Sequence, residues 1–385
     1  MDAGHEKNYN RKVGRSVLTA LGIKHIPPLN YFKGALFKKK IYPKYIRLEL
    51  THRCGLKCAM CPSFLHKPEP GKPEMALGEI KAVFDELSGY RHKPYVSVSG
   101  GEPFLRLDIF DILRHLELRG LRYKILTNAA DILPQLKNKI KSLNPDIFQV
   151  SIDGPEEIHD KIRGVRGAFS RTVEAVEYIK ENAGFRILLM CIINSMNSEY
   201  LDDMVTVAQD LGVDLCFGHL SFIDLNRFNH QKKIMKEEFG LDLDDSRRSD
   251  ITNLHSLDAG RLFEQIAKIQ GEKTKINIYF TQELSKGQIA KHYSDGECCV
   301  FSDKCYYPWY GARIDPYGEV SVCKDNYFTV GNIKEFPLAH LYNNRQANRF
   351  RGYLRKNLLP LCLRCCWCGS GDLMTTVFGR SGRLT

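Results

Sequence analysis

Six short runs rich in β-branched and aromatic residues alternate with amphipathic helical stretches, and this alternation limits the fold more than any other feature of the sequence. The runs occupy residues 45–50, 95–100, 123–128, 147–153, 186–193 and 215–220. Helical periodicity lies between them, at residues 76–87, 107–118 and 171–181. Strands separated by helices predict right-handed βαβ units. The sequence therefore predicts an α/β fold built on a parallel sheet.

The chain of 385 residues is long enough for a barrel with an accessory lobe. No N-terminal stretch has the pattern of a signal peptide, and no apolar run approaches the roughly 18 to 20 residues of a membrane span. We therefore expect a soluble, cytoplasmic protein. In that compartment the thirteen cysteines are expected to serve as metal ligands and buried thiols rather than as disulfides.

The positive charge of the chain is concentrated near the N-terminus. Residues 1–44 hold ten Lys or Arg against two acidic residues, which is +8 of the net charge of +11. This basic, partly apolar segment predicts either a helix packed on the body of the protein, which is favoured, or peripheral contact with an anionic membrane surface. No nucleic-acid-binding module accompanies the charge, so no nucleic acid is expected as a partner.

The most informative residues follow the carboxyl ends of the predicted strands, where ligands gather in parallel α/β folds. Cys54, Cys58 and Cys61 follow the first strand. Thiolates are soft ligands that select iron–sulfur clusters or zinc, and three of them leave one iron of a four-iron cluster open. A zinc site completed by His52 or His66 is the alternative. The Gly-Gly-Glu turn after the second strand favours the cluster, because a structural zinc loop has no use for a polar pocket beside it.

The motif Cys54-x3-Cys58-x2-Cys61, followed in order by Gly100-Gly101-Glu102-Pro103 and by SIDGPEEIHDKIRG, resembles the radical S-adenosylmethionine (SAM) enzymes. The resemblance covers residues 45–220 and implies a partial (β/α)6 barrel, a [4Fe–4S] cluster and SAM. In such enzymes the open iron chelates the methionine amino and carboxylate groups, and one electron from the cluster cleaves SAM to a 5′-deoxyadenosyl radical. An external electron donor such as flavodoxin or ferredoxin is then expected.

The resemblance also implies cofactor contacts, residue by residue. Arg163 matches the position that pairs the SAM carboxylate, a task that suits a guanidinium. Met60 stands where many relatives carry an aromatic residue near adenine, and a thioether can replace that apolar contact. The other expected contacts are Gly100, Gly101, Glu102 and Pro103 with the amino group, Ser151 and Asp153 with the ribose and nearby polar atoms, and Asn128, His219 and Leu220, for which a structural role is equally open. No catalytic residue is identified.

Eight of the thirteen cysteines lie after residue 297, and their arrangement resembles the SPASM and twitch extensions that hold auxiliary iron–sulfur clusters. A full SPASM module has a further cysteine beyond its last pair, but none follows Cys368. The resemblance implies one twitch-like auxiliary cluster, expected to be [4Fe–4S], in a small cysteine-rich C-terminal domain. The expected ligands are Cys305, Cys323, Cys362 and Cys365, with Cys368 as the strongest competitor and Cys299 as a weaker one. Zinc in the same four-thiolate cage is the alternative.

The sequence predicts four segments. These are a basic N-terminal segment (1–44), the barrel core (45–225), a polar and helical connector (226–295) and the auxiliary cluster domain (296–385). Cys191 and Cys216 lie within or near predicted strands and are expected to be buried as small hydrophobic residues.

Three functions remain open. The first is a radical enzyme acting on a small molecule, and the second is a maturase acting on a ribosomal peptide or protein. Only 44 residues precede the first strand, fewer than a typical leader-binding domain needs, so the small molecule is favoured. The third is a zinc-binding module with a structural role only. The Gly-Gly-Glu motif and the motif from Ser151 to Arg163 argue against that function.

Overall fold

The computed structural model describes residues 40–61, 71–130, 132, 134, 139–243, 254–294, 302, 304–324 and 328–365. Several residues considered in the sequence lie outside this part of the chain. They are most of the basic N-terminal segment (1–39), His66, Cys299 and Cys368.

One sheet of ten strands organises the described chain, in the order β10-β9-β8-β1-β2-β3-β4-β5-β6-β7. Strands β1 to β8 are joined by parallel pairing, whereas β9 and β10 are antiparallel additions at one edge. The strands are β1 (Tyr45–Glu49), β2 (Tyr95–Ser99), β3 (Tyr123–Thr127), β4 (Ile147–Ser151), β5 (Ile187–Ile193), β6 (Asp214–His219), β7 (Ile278–Phe280), β8 (Gly311–Ile314), β9 (Glu319–Ser321) and β10 (Thr329–Asn332).

The six predicted strands are β1 to β6, and the predicted parallel α/β fold is confirmed. The structure adds parallel strands at both sides of this core. Strand β7 comes from the predicted connector and pairs with β6, while β8 comes from the C-terminal segment and pairs with β1. The C-terminal segment therefore continues the sheet of the core.

Helices follow the strands as expected for βαβ units. They are α1 (Leu77–Ser88), α2 (Ile109–Leu118), α3 (Glu156–Arg163), α4 (Ala168–Asn182), α5 (Leu201–Leu211), α6 (Leu225–Phe239), α7 (Ala259–Gly271), α8 (Lys286–Tyr293), α9 (Tyr307–Tyr310), α10 (Leu338–Leu341) and α11 (Arg345–Leu354). Short 3-10 helices occupy Pro103–Leu105, Ile140–Ser142 and Pro360–Arg364. Within the described ranges, none of the helices combines the length and apolarity needed to cross a bilayer.

The two faces of the sheet differ because successive strand residues point to opposite sides. On one face, residues such as Ile46, Val98 and Phe148 join the main core with the buried sides of the helices. The opposite face, called the inner face below, carries the alternate residues. It includes an aromatic cluster of Tyr45, Tyr95, Tyr306, Tyr307 and Tyr310 and an aliphatic cluster of Ile147, Leu188, Met190 and Cys216.

Candidate functional site

The loop that carries Cys54, Cys58 and Cys61 follows β1 and rests on the end of helix α3. The backbone N–H of Lys57 donates to the Arg163 carbonyl at 3.0 Å, and that of Ala59 donates to the Ile162 carbonyl at 2.8 Å. These bonds use carbonyls at the helix C-terminus, which have no partner within the helix. The cysteine loop is therefore held by α3 through main-chain contacts.

Gly164 makes this contact possible. It ends α3 with a φ of +68°, a left-handed conformation that favours glycine. A Cβ atom at this position would lie 2.5 Å from the Lys57 carbonyl oxygen. Only a residue without a side chain lets the cysteine loop approach so closely.

Polar groups surround the first two thiols of the loop. Asn128 Nδ2 lies 3.6 Å from the Cys54 sulfur, and Arg163 Nη1 lies 3.6 Å from the Cys58 sulfur. Burial and the neighbouring Cys58 and Cys54 thiols raise the pKa of Cys61 to about 12, and burial also raises the pKa of Cys54. Thiolates are the metal-binding form, so a bound cation would stabilise the ionised state that this setting opposes.

The glycine-rich turn after β2 lies directly against the first residues of the cysteine loop. Gly101 N–H donates to the Thr51 carbonyl at 2.7 Å, and Glu102 N–H donates to the Arg53 carbonyl at 2.8 Å. A Cβ atom on Gly100 would lie 2.5 Å from the Thr51 oxygen, and one on Gly101 would lie 2.2 Å from the Arg53 oxygen. Both glycines are needed for this close approach of two backbones.

The Glu102 carboxylate holds the ends of strands β2 and β3 together. It is buried and accepts hydrogen bonds from Phe104 N–H at 3.2 Å, from the Thr127 hydroxyl at 2.9 Å and from Asn128 N–H at 2.8 Å. These contacts give Glu102 a positioning role that the sequence did not indicate. Its predicted contact with the SAM amino group stays a prediction.

Arg163 and Asp153 form a buried ion pair beside the cysteine loop. Arg163 Nη2 lies 2.5 Å from Asp153 Oδ2, and Asp153 also accepts a hydrogen bond from Ile192 N–H at 2.9 Å. Burial raises the pKa of Asp153 although Arg163 opposes that shift. Asp153 thus supports the guanidinium rather than standing open at the strand end.

The Arg163 guanidinium retains one donor that fits the expected cofactor. Its Nε is buried and has no hydrogen-bond partner in the described part of the chain. Buried donors are normally satisfied, and a guanidinium binds a carboxylate well. The three thiols, with the hydrogen-bond donors of Arg163 and Asn128 beside them, therefore fit a thiolate-bound cluster with SAM next to it. The role of each residue stays a prediction.

The structure places the other predicted contacts in two groups. Ser151 ends β4 on the inner face, Pro103 begins a 3-10 helix, and Met60 is half-buried against the core. His219 and Leu220 instead contact helix α8. His219 Nδ1 lies 2.9 Å from the Tyr293 hydroxyl, and His292 Nε2 lies 2.8 Å from the Leu220 carbonyl oxygen. The described hydrogen bonds of these two residues do not bring them to the cysteine loop.

The sequence reasoning missed Thr127 and Gly164 as parts of the site. Thr127 lies in the strand-end sequence TNA, and Gly164 ends the quoted motif SIDGPEEIHDKIRG. Thr127 thus directly precedes the candidate Asn128, and Gly164 lies within a quoted motif, but their roles depend on contacts with Glu102 and Lys57 that only the folded chain reveals.

Four C-terminal thiols meet around one cavity. Cys305, Cys323, Cys362 and Cys365 line it together with apolar residues such as Leu354 and Leu361. A hydrogen bond with Cys305, burial and the nearby Cys323 and Cys365 thiols raise the pKa of Cys362. Within the described residues, no three His, Cys, Asp or Glu side chains are already spaced for a single metal ion. The structure thus gathers the four expected thiols, while Cys368 lies outside the described residues.

Comparison with known proteins gives two domain matches and several relatives. Residues 48–208 match the radical SAM superfamily, and residues 305–366 match the SPASM iron–sulfur cluster-binding domain. An AdoMet-dependent heme synthase from Methanosarcina barkeri is 26% identical over 314 residues, which cover 80% of this chain and 84% of the relative. The Fe-coproporphyrin III synthase of the same organism is 29% identical over 346 residues, covering 83% of this chain and 79% of the relative.

A solved structure shows the same fold. Streptococcus suis SuiB bound to precursor peptide SuiA matches with a TM-score of 0.60 at 16% identity, covering 84% of this chain and 71% of that one. The domain matches confirm the expected enzyme class and cofactors, which are a [4Fe–4S] cluster, SAM and auxiliary iron–sulfur binding. The chain therefore contains a radical SAM domain at residues 48–208 and a SPASM iron–sulfur cluster-binding domain at residues 305–366.

Proposed function

We propose that this protein cleaves SAM reductively and uses the resulting radical to abstract a hydrogen atom from a small-molecule substrate. The observation that carries the proposal is the arrangement at the end of α3. There the carbonyl of Arg163 holds the cysteine loop while its side chain lies beside Cys58 and Asp153. When bound, the cluster and SAM would supply one electron and a 5′-deoxyadenosyl radical.

The residues of this chain bind and orient the cofactor in the proposal. Cys54, Cys58 and Cys61 hold the cluster, and the buried Arg163 Nε donates to the SAM carboxylate. Asp153 fixes the Arg163 guanidinium through Nη2. This buried pair keeps the donor in one orientation, so less side-chain freedom is lost when SAM binds.

The C-terminal thiols are proposed to hold one auxiliary cluster. Four cysteine ligands would fill all four irons, so this cluster would carry electrons rather than bind the substrate. The exposed Arg53 and Lys57 on the cysteine loop suit an acidic electron donor such as flavodoxin or ferredoxin. Membrane contact through the basic N-terminal segment stays a prediction, because residues 1–39 lie outside the described part of the chain.

The relatives favour a small molecule, and tetrapyrroles are the first class to test. Two relatives that match about four-fifths of this chain are named for heme and Fe-coproporphyrin III synthesis. A ribosomal peptide is the second candidate, because SuiB, which was solved with a precursor peptide, has the same fold. Its 16% identity supports a common fold rather than a common substrate.

The test is SAM cleavage by anaerobically reconstituted protein with a strong reductant, read out as 5′-deoxyadenosine. Wild type should release it, and changing Cys54, Cys58 and Cys61 together to Ala should abolish the release. Cys216→Ala is the matched control, because this buried thiol lies outside both cysteine groups. A wild-type protein that stays colourless after reconstitution, or that holds one tight zinc at the loop, would refute the proposal.

A further inference from the structure

We propose that Arg47 and Lys124, on the inner face of the sheet, bind a carboxylate group of the small-molecule substrate. The inference rests on the proposed function, because it places this anionic group beneath the strand ends that carry the cysteine loop. It names the substrate class as a molecule with an apolar body and at least one carboxylate.

Strand register brings the basic residues into one row. Arg313 of β8 pairs with Arg47 of β1, Arg47 pairs with Ser97 of β2, and Ser97 pairs with Lys124 of β3. Paired residues of neighbouring strands point to the same face of a sheet. Three cationic side chains therefore lie in a row across four adjacent strands.

Glu49 lies next to this row and is mainly committed to Arg313, which also interacts electrostatically with the buried Asp315. The Glu49 carboxylate accepts a hydrogen bond from Arg313 Nε at 2.8 Å and another from Arg313 Nη2. Burial would raise the pKa of Glu49, but Arg313 and Arg47 lower it to about 2. Glu49 is thus ionised at neutral pH and balances one of the three cations.

Arg47 retains binding capacity. The Arg47 Nε lies 3.0 Å from Glu49 Oε1, but this nitrogen makes no hydrogen bond in the described part of the chain. A quarter of the Arg47 side-chain surface is exposed. Ser99, one repeat nearer the strand end, is buried, and its Oγ also has no hydrogen-bond partner among the described residues. Unsatisfied buried polar atoms of this kind mark places where a ligand can supply the missing partner.

Lys124 places a second cation on the inner face at a cost in stability. It is buried, and its Nζ donates to Gln149 Oε1 at 3.1 Å. Burial and the nearby Arg47 lower the pKa of Lys124 to about 8, although the Cys216 thiol has the opposite effect. The positive charge of Arg47 opposes the charged form of the buried Lys124 ammonium, whereas a bound carboxylate would favour that charged form.

The surroundings of the row fit an amphipathic ligand. Ile147 of the aliphatic cluster pairs with Lys124, and Met190 of the same cluster pairs with Ser151 at the end of β4. Tyr45 and Tyr95 of the aromatic cluster lie two residues before Arg47 and Ser97, at the strand starts. Arg47 and Ser97 are two residues before the strand ends at Glu49 and Ser99, which is about 7 Å along the strand. A carboxylate bound there leaves the apolar body of the ligand near the strand ends.

The test is binding of iron-coproporphyrin III and of its tetramethyl ester to anaerobically reconstituted protein, followed by absorption titration. Lys124→Met and Arg47→Met should each weaken binding of the free acid at least tenfold and change binding of the ester little. Lys124→Arg should restore much of the affinity, because it restores the charge. Lys273→Met removes an exposed lysine and is the matched control, which should bind as wild type does.

Two results would overturn the inference. One is a wild-type protein that does not bind the free acid, and the other is a pair of Met variants that bind it as tightly as wild type. Denaturation midpoints no lower than that of wild type would show that a loss of affinity is not a loss of fold. The inference fails alone if wild type releases 5′-deoxyadenosine but does not bind the acid, whereas absent 5′-deoxyadenosine release refutes the proposed function itself.

Discussion

Arg163 joins three parts of the site through a single residue. Its carbonyl accepts from the cysteine loop, its Nη1 lies beside the Cys58 sulfur, and its Nη2 pairs with Asp153. A lysine at this position would keep the charge but lose the planar fork that makes the two side-chain contacts at once.

We therefore expect Arg163→Lys to weaken SAM binding at least tenfold. Losing one hydrogen bond to a charged group costs about 1.5 to 3 kcal/mol, and about 1.4 kcal/mol corresponds to a tenfold change in affinity. Equilibrium dialysis of SAM against reconstituted protein measures the effect. Arg166→Lys is the control, since Arg166 is exposed three residues further on. An unchanged SAM dissociation constant for Arg163→Lys would show that Arg163 does not bind SAM.

The pKa of Lys124 predicts how the stability of the protein changes with pH. This pKa is about 8 in the folded chain and 10.5 in the unfolded chain, so the unfolded state binds the proton more tightly. The stability of wild type should then rise as pH increases from about 8 to 10.5, and Lys124→Met should lack this rise. The variant should be more stable at pH 7 by up to about 3 kcal/mol. Denaturant unfolding at several pH values measures this, and a less stable variant would contradict it.

At the scale of elements, the position of the cysteine loop depends on main-chain contacts with the end of helix α3. Gly164 lets the loop contact the Arg163 and Ile162 carbonyls. The site is therefore a junction between the β1 loop and the helix that follows β4.

Gly164→Ala should disturb this junction. The left-handed φ costs a residue with a side chain about 1 to 2 kcal/mol, and the clash with the Lys57 oxygen adds to it. We expect lower stability and less iron at the first cluster site, measured by denaturant unfolding and iron analysis. Gly287→Ala in α8 meets no atom within 4 Å and should leave the iron content unchanged. Equal behaviour of the two variants would mean that the junction does not shape the site.

The sequence allowed the prediction of elements whose signal is local. Strands β1 to β6 are runs of five to seven residues with strong β propensity, and the cysteines stand in recognisable spacings. Strands β7 and β8 have three and four residues, so their pairing depends on the rest of the sheet rather than on their own pattern. The Glu102–Thr127 and Asp153–Ile192 hydrogen bonds join residues 25 and 39 positions apart along the chain, so no local spacing indicated them.

At the scale of the whole molecule, the sheet connects the two cysteine groups. Strand β8 follows closely after Cys305 and pairs with β1, which leads into the cysteine loop. Cys323 follows β9 in the same sheet, and Cys362 and Cys365 lie at the 3-10 helix near α6. The C-terminal thiols are thus anchored to the core through the pairing of β8 with β1.

Iron content tests whether these groups hold two independent clusters. Wild type should bind about eight irons, and the variant lacking Cys54, Cys58 and Cys61 should keep about four, because four thiolates complete a four-iron cluster. Cys323→Ala should also keep about four and should make the segment after residue 304 more sensitive to protease, since metal binding and folding are coupled. The β1–β8 pairing is main-chain structure and should preserve the first cluster in this variant. A triple variant that holds zinc and no iron would instead identify the C-terminal thiols as a structural zinc site.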